Sequence, residues 1–204
     1  YIKWSGITSL APLAGLKRLT HFHIGGAPSA THLETLSQLP FLVDLEICNV
    51  RAAADLSFLH GLPNLRALKI AGESNSLKPL VIETLAPMAV LRELQRLTLV
   101  TVRLGDGSLA PLAELPKLKY LGLSNMFPME EYARLAGRRP DIMCARFEPS
   151  DGPDQSIRCK KCKQLTLFAL TGKGKPWLCQ QCDAARLAKH NAEFLALVKA
   201  SSAG

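Results

Sequence analysis

A string of six apolar residues recurs five times in the first 125 residues, and few architectures can accommodate it. The first copy is Leu10, Leu13, Leu16, Leu19, Phe22 and Ile24. The second is Leu33, Leu36, Leu39, Leu42, Leu45 and Ile47, and the third is Leu56, Leu59, Leu62, Leu65, Leu68 and Ile70. Leu85, Met88, Leu91, Leu94, Leu97 and Leu99 make the fourth, and Leu109, Leu112, Leu115, Leu118, Leu121 and Leu123 the fifth. The copies start 23, 23, 29 and 24 residues apart. The closing pair of each copy alternates apolar with other residues, which predicts a short strand with side chains in and out. The earlier spacing of three predicts a helical or 3-10 segment that buries one stripe. One copy cannot bury its own leucines, whereas stacked copies can. The pattern therefore predicts a solenoid with a parallel sheet on its concave side.

The stretches "SLAPLAGLKRLTHFHI", "DLSFLHGLPNLRALKI" and "SLAPLAELPKLKYLGL" resemble the leucine-rich-repeat family in its bacterial form, whose core reads L-x-x-L-x-L. The fold class expected is α/β: a leucine-rich-repeat solenoid, followed by a small zinc-ribbon hairpin and a C-terminal helix. The resemblance implies a partner-binding role without catalysis. The family often places Asn or Cys three positions after the second strand leucine. Here those positions hold Ala27, Val50, Glu73, Val102 and Met126, so the usual asparagine ladder is missing. The spacing of 29 marks an insertion, "GESNSLKPLVIE", expected as a longer loop. After Leu123 the repeat breaks. Pro128 to Glu131 reads as a helix start with acids in its first turn, and Ile142 to Phe147 as a closing strand. Together these form the expected C-terminal cap. "EPSDGPDQS" reads as a linker or turn. The domains expected are a capped solenoid over 1–148, a linker over 149–157, and a zinc-ribbon-like module with a terminal helix over 158–204.

Cys159-x-x-Cys162 and Cys179-x-x-Cys182 match the two-knuckle spacing of a tetrahedral zinc site, with sixteen residues between the pairs. Two intervening residues let both sulfurs of a pair reach one metal. "QLTLFAL" is β-prone, "TGKGKP" reads as a turn and "WLC" begins the return strand. A segment this short has too little core of its own, with only Leu165, Leu167, Ala169, Trp177 and Leu178 available, so structural Zn²⁺ is the expected staple. Four cysteines leave no open position for catalysis. Asp183 reads as the N-cap of a final helix whose apolar side carries Leu187, Phe194, Leu195 and Val198. His190 reads as a histidine on that helix's surface rather than a ligand.

Strand alternation lists the residues that face outward from the sheet. They include His21 and His23, Asp44 and Glu46 with Cys48, Lys69, Arg96 and Tyr120. Register places His21 opposite Asp44 and His23 opposite Glu46. Without Cys48, these residues are the candidate partner-binding set, weighed against a plain array of solvated cross-strand pairs. A catalytic Cys48–His23 pairing is disfavoured, because a flat sheet face is expected to lack a pocket and an oxyanion hole.

Charge narrows the partners. The formal net charge is +8, and residues 151–204 hold nine Lys and Arg against four Asp and Glu. Nucleic-acid binding through Lys160, Lys161, Lys163, Lys173, Lys175 and Trp177 is therefore the alternative to protein recognition. A targeting part of a bacterial effector is a further alternative. No apolar run is long enough to span a bilayer and no signal peptide is legible. The expected setting is the cytoplasm, or outside the cell as an effector if a signal was lost ahead of Tyr1.

Overall fold

The computed structural model of the chain describes residues 1–3, 6–73 and 78–202. It divides into two compact units, Tyr1–Ser124 and Asn125–Gly204.

The first unit is a leucine-rich-repeat solenoid. Its main sheet holds β1 (Ile2–Lys3), β2 (His21–Gly25), β3 (Asp44–Cys48), β4 (Ala67–Ala71), β6 (Arg96–Val100) and β8 (Tyr120–Leu123). All neighbours are parallel and follow chain order. Phe22, Leu45, Leu68, Leu97 and Leu121 align across one row, and Ile24, Ile47, Ile70, Leu99 and Leu123 across another. Both rows are buried. The segments at spacing three are 3-10 turns, at Ala11–Gly15, Leu33–Gln38, Ser57–Gly61, Ala86–Val90 and Ala110–Glu114. Pro stands near the start of three of them, where its missing N–H costs no turn bond. β1 lies ahead of the five counted copies and extends the sheet by pairing Ile2 with Ile24.

The missing asparagine ladder has a structural substitute. Ala27, Val50 and Val102 are buried, so apolar contact replaces the side-chain amide at those positions. The residue before each turns the chain in the left-handed region: Gly26 at φ 66°, Asn49 at φ 52° and Thr101 at φ 53°. The backbone then bonds repeat to repeat. Gly26 N–H donates to the Cys48 carbonyl at 3.1 Å, Asn49 N–H to Ala71 at 2.8 Å, and Gly72 N–H to Val100 at 2.9 Å. The ladder that asparagine side chains usually supply is supplied here by the main chain.

The insertion after the third repeat is not a plain loop. It contains β5 (Leu80–Ile82), which pairs in parallel with β7 (Val102–Leu104). Alternate residues Ile82, Val102 and Leu104 are buried, so a second short sheet forms one turn beyond the first. Residues 74–77 of the insertion lie outside the described residues.

In the second unit, α1 (Met129–Arg138) begins as expected, with Glu130 and Glu131 in its first turn. The expected closing strand is absent. Residues Ala145–Phe147 form a 3-10 turn. The Ile142 and Phe147 N–H groups donate to Arg139 and Cys144 nearby in the chain, which leaves no extended ladder. Tyr132 is buried, and its hydroxyl accepts the N–H groups of Met126 at 3.1 Å and Phe127 at 3.3 Å. The hairpin forms as expected from β9 (Leu167–Ala169) and β10 (Trp177–Cys179), antiparallel. Gly172 and Gly174 take positive φ in its turn, at 124° and 72°.

The stretch 149–157, expected as a linker, is bonded to this hairpin. Asp151 N–H donates to Ala169 at 2.9 Å and Asp154 N–H to Leu167 at 2.8 Å, while Thr171 N–H donates to the Pro149 carbonyl at 2.9 Å. The final helix, α2 (Ala184–Ser201), packs along α1. Gly137 makes this approach possible. A Cβ there would stand 2.3 Å from the Val198 carbonyl oxygen and 2.8 Å from the Ser201 Cβ.

Candidate functional site

Two groups of side chains emerge from this scaffold, one in each unit. On the solenoid sheet, residues alternate with the buried rows and stand on the polar face in continuous register. His21, Asp44, Ala67, Arg96 and Tyr120 form one cross-strand row. His23, Glu46, Lys69, Thr98 and Gly122 form the next. The expected register is thus observed, but the bonds run partly along diagonals. His23 Nε2 donates to Asp44 at 2.9 Å, while its Nδ1 stands 4.0 Å from Glu46. His21 lies opposite Asp44 but bonds its neighbour Thr20 instead. Lys69 donates to Glu46 at 2.7 Å, and the Cys48 thiol donates to the same carboxylate at 3.3 Å.

These contacts set the protonation states. Burial alone would raise the Glu46 carboxyl. The hydrogen bonds from Lys69 and Cys48, with the charges of Lys69 and His23, outweigh it and hold the group below the ordinary carboxylate value. The bond to Glu46 raises Lys69 against its own burial. Burial, together with the Glu46 carboxylate, pushes the Cys48 thiol up to about 11. A thiol raised in this way carries little thiolate, the nucleophilic form, at neutral pH. The expectation of a flat face needs correction, however. A hollow of about 270 Å³ opens among His23, Asp44, Glu46, Ala67, Lys69 and Arg96.

The second group is the cysteine cluster. Sγ of Cys159 and Cys182 lie 3.9 Å apart, and those of Cys162 and Cys179 3.6 Å apart. All four sulfurs fall within 4.8 Å of one another. No disulfide joins them. Sulfurs bound at about 2.3 Å around a tetrahedral Zn²⁺ lie about 3.8 Å from each other, so the set fits such an ion in type and spacing.

The backbone explains how the sulfurs converge. Lys163 takes φ 62° after the first pair. Cys159 N–H donates to Gln164 at 2.8 Å, and Lys163 N–H returns to Cys159 at 2.9 Å. In the second knuckle, Asp183 N–H donates to Cys179 at 2.9 Å, and Cys182 N–H points at the Cys179 sulfur at 3.4 Å. Thr166 was not foreseen. Its hydroxyl lies 3.1 Å from the Cys179 sulfur. That bond, followed by the Cys182 N–H, draws the Cys179 thiol down to about 6. Burial first, and then bonds with the other thiols, push Cys182 up to about 12.

Other sequence expectations around the cluster are corrected. Asp183 occupies the N-cap position but does not cap α2. Its carboxylate accepts the Cys179 N–H at 3.2 Å and Lys161 Nζ at 3.2 Å. His190 is not a surface residue. It is 5% exposed, and its Nε2–H donates to the Pro149 carbonyl at 2.9 Å. Leu195 is 57% exposed and lies off the buried stripe, which runs through Leu187, His190 and Phe194. The small core beside the cluster is Leu170, Leu178 and Leu187 with Phe168, while Trp177 is exposed.

Among the described residues, no helix is long and apolar enough to cross a membrane. No family model matches the chain, and none of the curated proteins compared with it matches. Among solved structures, the chain is similar to an internalin C2 from Listeria monocytogenes, at 20% identity and a TM-score of 0.45. The match covers 69% of this chain and 66% of that one. It is also similar to an internalin (inlF) from the same organism, at 21% identity and a TM-score of 0.41, over 69% of this chain and 47% of that one. The chain thus spans about two thirds of the first neighbour's length and about half of the second's.

Proposed function

We propose that the chain is a non-enzymatic recognition scaffold that binds a partner protein on the polar face of its repeat sheet. The observation behind this reading is the register. Adjacent parallel strands hold His21, His23, Asp44, Glu46, Lys69, Arg96 and Tyr120 in two straight rows on a rigid core. Such a surface is prepaid in conformational entropy and mixes charge with an exposed aromatic, as protein interfaces do. The extension from fold to recognition is an analogy with repeat scaffolds in general.

We further propose that Cys159, Cys162, Cys179 and Cys182 hold a structural Zn²⁺. Bound there, the ion supplies a cross-link between the two knuckles and leaves no open position for chemistry. Cysteines held as metal thiolates suit a reducing compartment such as the cytoplasm.

The test has two arms. Affinity capture from cells of the source organism, with and without nuclease, should return the same protein in both samples. Reversing the charges of Asp44 and Glu46 together with Arg96 should abolish that capture while leaving the circular dichroism intact. Capture that survives the reversal moves the interface off the sheet. Capture that disappears with nuclease assigns the binding to the basic second unit instead. Metal analysis of the purified protein should find one zinc per chain, and Cys159→Ser should release it. An intact zinc content in that variant rejects the four-cysteine site.

A further inference from the structure

The two ends of the polar face differ in electrical state. Toward β2 and β3 the polar groups are bonded to one another: His23 to Asp44, and Glu46 to Lys69. Toward β6 and β8 they are not. Arg96 and Tyr120 stand side by side in register. Neither side chain has a hydrogen-bond or ion-pair partner among the described residues. Tyr120 is 49% exposed. The exposed Arg66 and Lys119, one residue ahead of β4 and β8, are likewise without side-chain partners among the described residues. The nearby acid Glu93 is already taken by Lys117 at 2.6 Å.

Ala67 sits between Asp44 and Arg96 in the same row. Strands about 4.8 Å apart put those two backbones about 10 Å from each other. The methyl group of Ala67 leaves the floor low, and the hollow of about 270 Å³ opens over it with Arg96 on one wall.

Resting on the recognition reading above, we propose that Arg96 and Tyr120 receive the carboxylate side chains of an acidic, extended segment of the partner protein. The guanidinium offers a two-pronged donor that matches a carboxylate, and the phenol offers a third donor beside it. Arg66 and Lys119 provide long-range attraction for further acids of the same segment. A regular polyanion fits less well. A phosphate chain crossing the hollow would meet Asp44 and Glu46, whereas one carboxylate on Arg96 stops short of them.

The experiment uses the full chain and three probes: a short blocked peptide of alternating Glu and Ser, its Gln–Ser counterpart, and single-stranded oligothymidine. The Glu peptide should bind and the Gln peptide should not. Arg96→Gln should weaken the Glu peptide about tenfold, the scale of losing one charged hydrogen-bonding partner. Tyr120→Phe, which removes one hydroxyl, should weaken it by a smaller factor. Equal binding of the two peptides, or no binding of either, overturns the inference, as does binding that Arg96→Gln leaves unchanged. Tighter binding of oligothymidine that depends on Arg96 overturns it in favour of a nucleic acid. Each of these results stands apart from the capture experiment, which tests whether the sheet face binds a protein at all. Should Arg96→Gln alter the circular dichroism, Tyr120→Phe carries the same test.

Discussion

Each repeat between Leu10 and Leu123 brings a strand, a 3-10 turn and six apolar side chains; all six are buried in the second to fifth copies, whereas in the first Leu13 and Leu19 are half-buried and Leu16 is 52% exposed. Between Asn125 and Ser202 nothing repeats. There α1 and α2 touch through Gly137, a short hairpin covers three leucines, and four sulfurs converge at one point. The solenoid spreads its stability over many equal contacts, so losing one leucine weakens it without removing a unique part. The second unit concentrates its stability in a few contacts that have no replacement. Identical neighbours make a core cheap to extend, while a short unrepeated segment must find a staple.

Metal removal should separate the two units most sharply. On the structural-zinc reading proposed above, chelation, or Cys179→Ser, should unfold the hairpin and loosen α2, because such an ion contributes on the order of 10 kcal/mol to modules of this kind. Hydrogen exchange should show Leu167–Cys179 losing protection while Phe22, Leu45 and Leu68 keep theirs. Equal loss in both units would show that they fold as one. Leu97→Ala should be next in size. The side chain is buried mid-sheet, so denaturant unfolding of the solenoid should lose about 3 kcal/mol. Zinc affinity should stay unchanged, and a change would break the comparison from the other side.

Gly137→Val should cost about 1–3 kcal/mol in the second unit alone, since its Cβ would press on the Val198 carbonyl. Deleting 149–157, which is bonded along β9, should likewise destabilise the second unit rather than merely shorten a tether. Thermal melting resolved by zinc release would read both changes.

The smallest effect belongs to the Glu46–Lys69 pair, which is partly exposed and therefore screened. Glu46 is held low, so its contribution is present above the unfolded carboxylate value and fades as pH falls through the lowered folded one. Lys69 is raised, so its contribution is present below its ordinary value and fades as pH climbs through the raised one. Glu46→Gln should flatten the acid limb of a stability–pH curve by a fraction of a kcal/mol, as is usual for surface pairs. An unchanged curve would show that the pair contributes no net stability.

The repeat was legible because its signal is periodic: Leu45 and Leu68 face inward for the same reason, one copy apart. The same alternation located Asp44, Glu46 and Arg96 on the polar face. The cysteine spacing was legible because two intervening residues suffice to bring two sulfurs to one point. His190 and Leu195 are not legible in the sequence because α2 has a weak apolar stripe, and the Pro149 carbonyl that bonds His190 lies forty-one residues away in the chain. β5 is not legible in the sequence because its partner, β7, follows the next repeat, and pairing at that distance leaves no local pattern.

The sequence by itself determined the solenoid, its register and the gathering of four cysteines. Those depend on periodicity and on short spacings that act within one turn or one neighbour. Only the tertiary structure decided which polar groups on the sheet face are bonded and which stay open, that Thr166 leans on Cys179, and that main-chain bonds stand in for the absent asparagines. Those outcomes depend on side chains and carbonyls thirteen to twenty-eight residues apart meeting within about 3 Å, the hydrogen-bond range. No pattern of letters encodes such a distance until the strands are stacked.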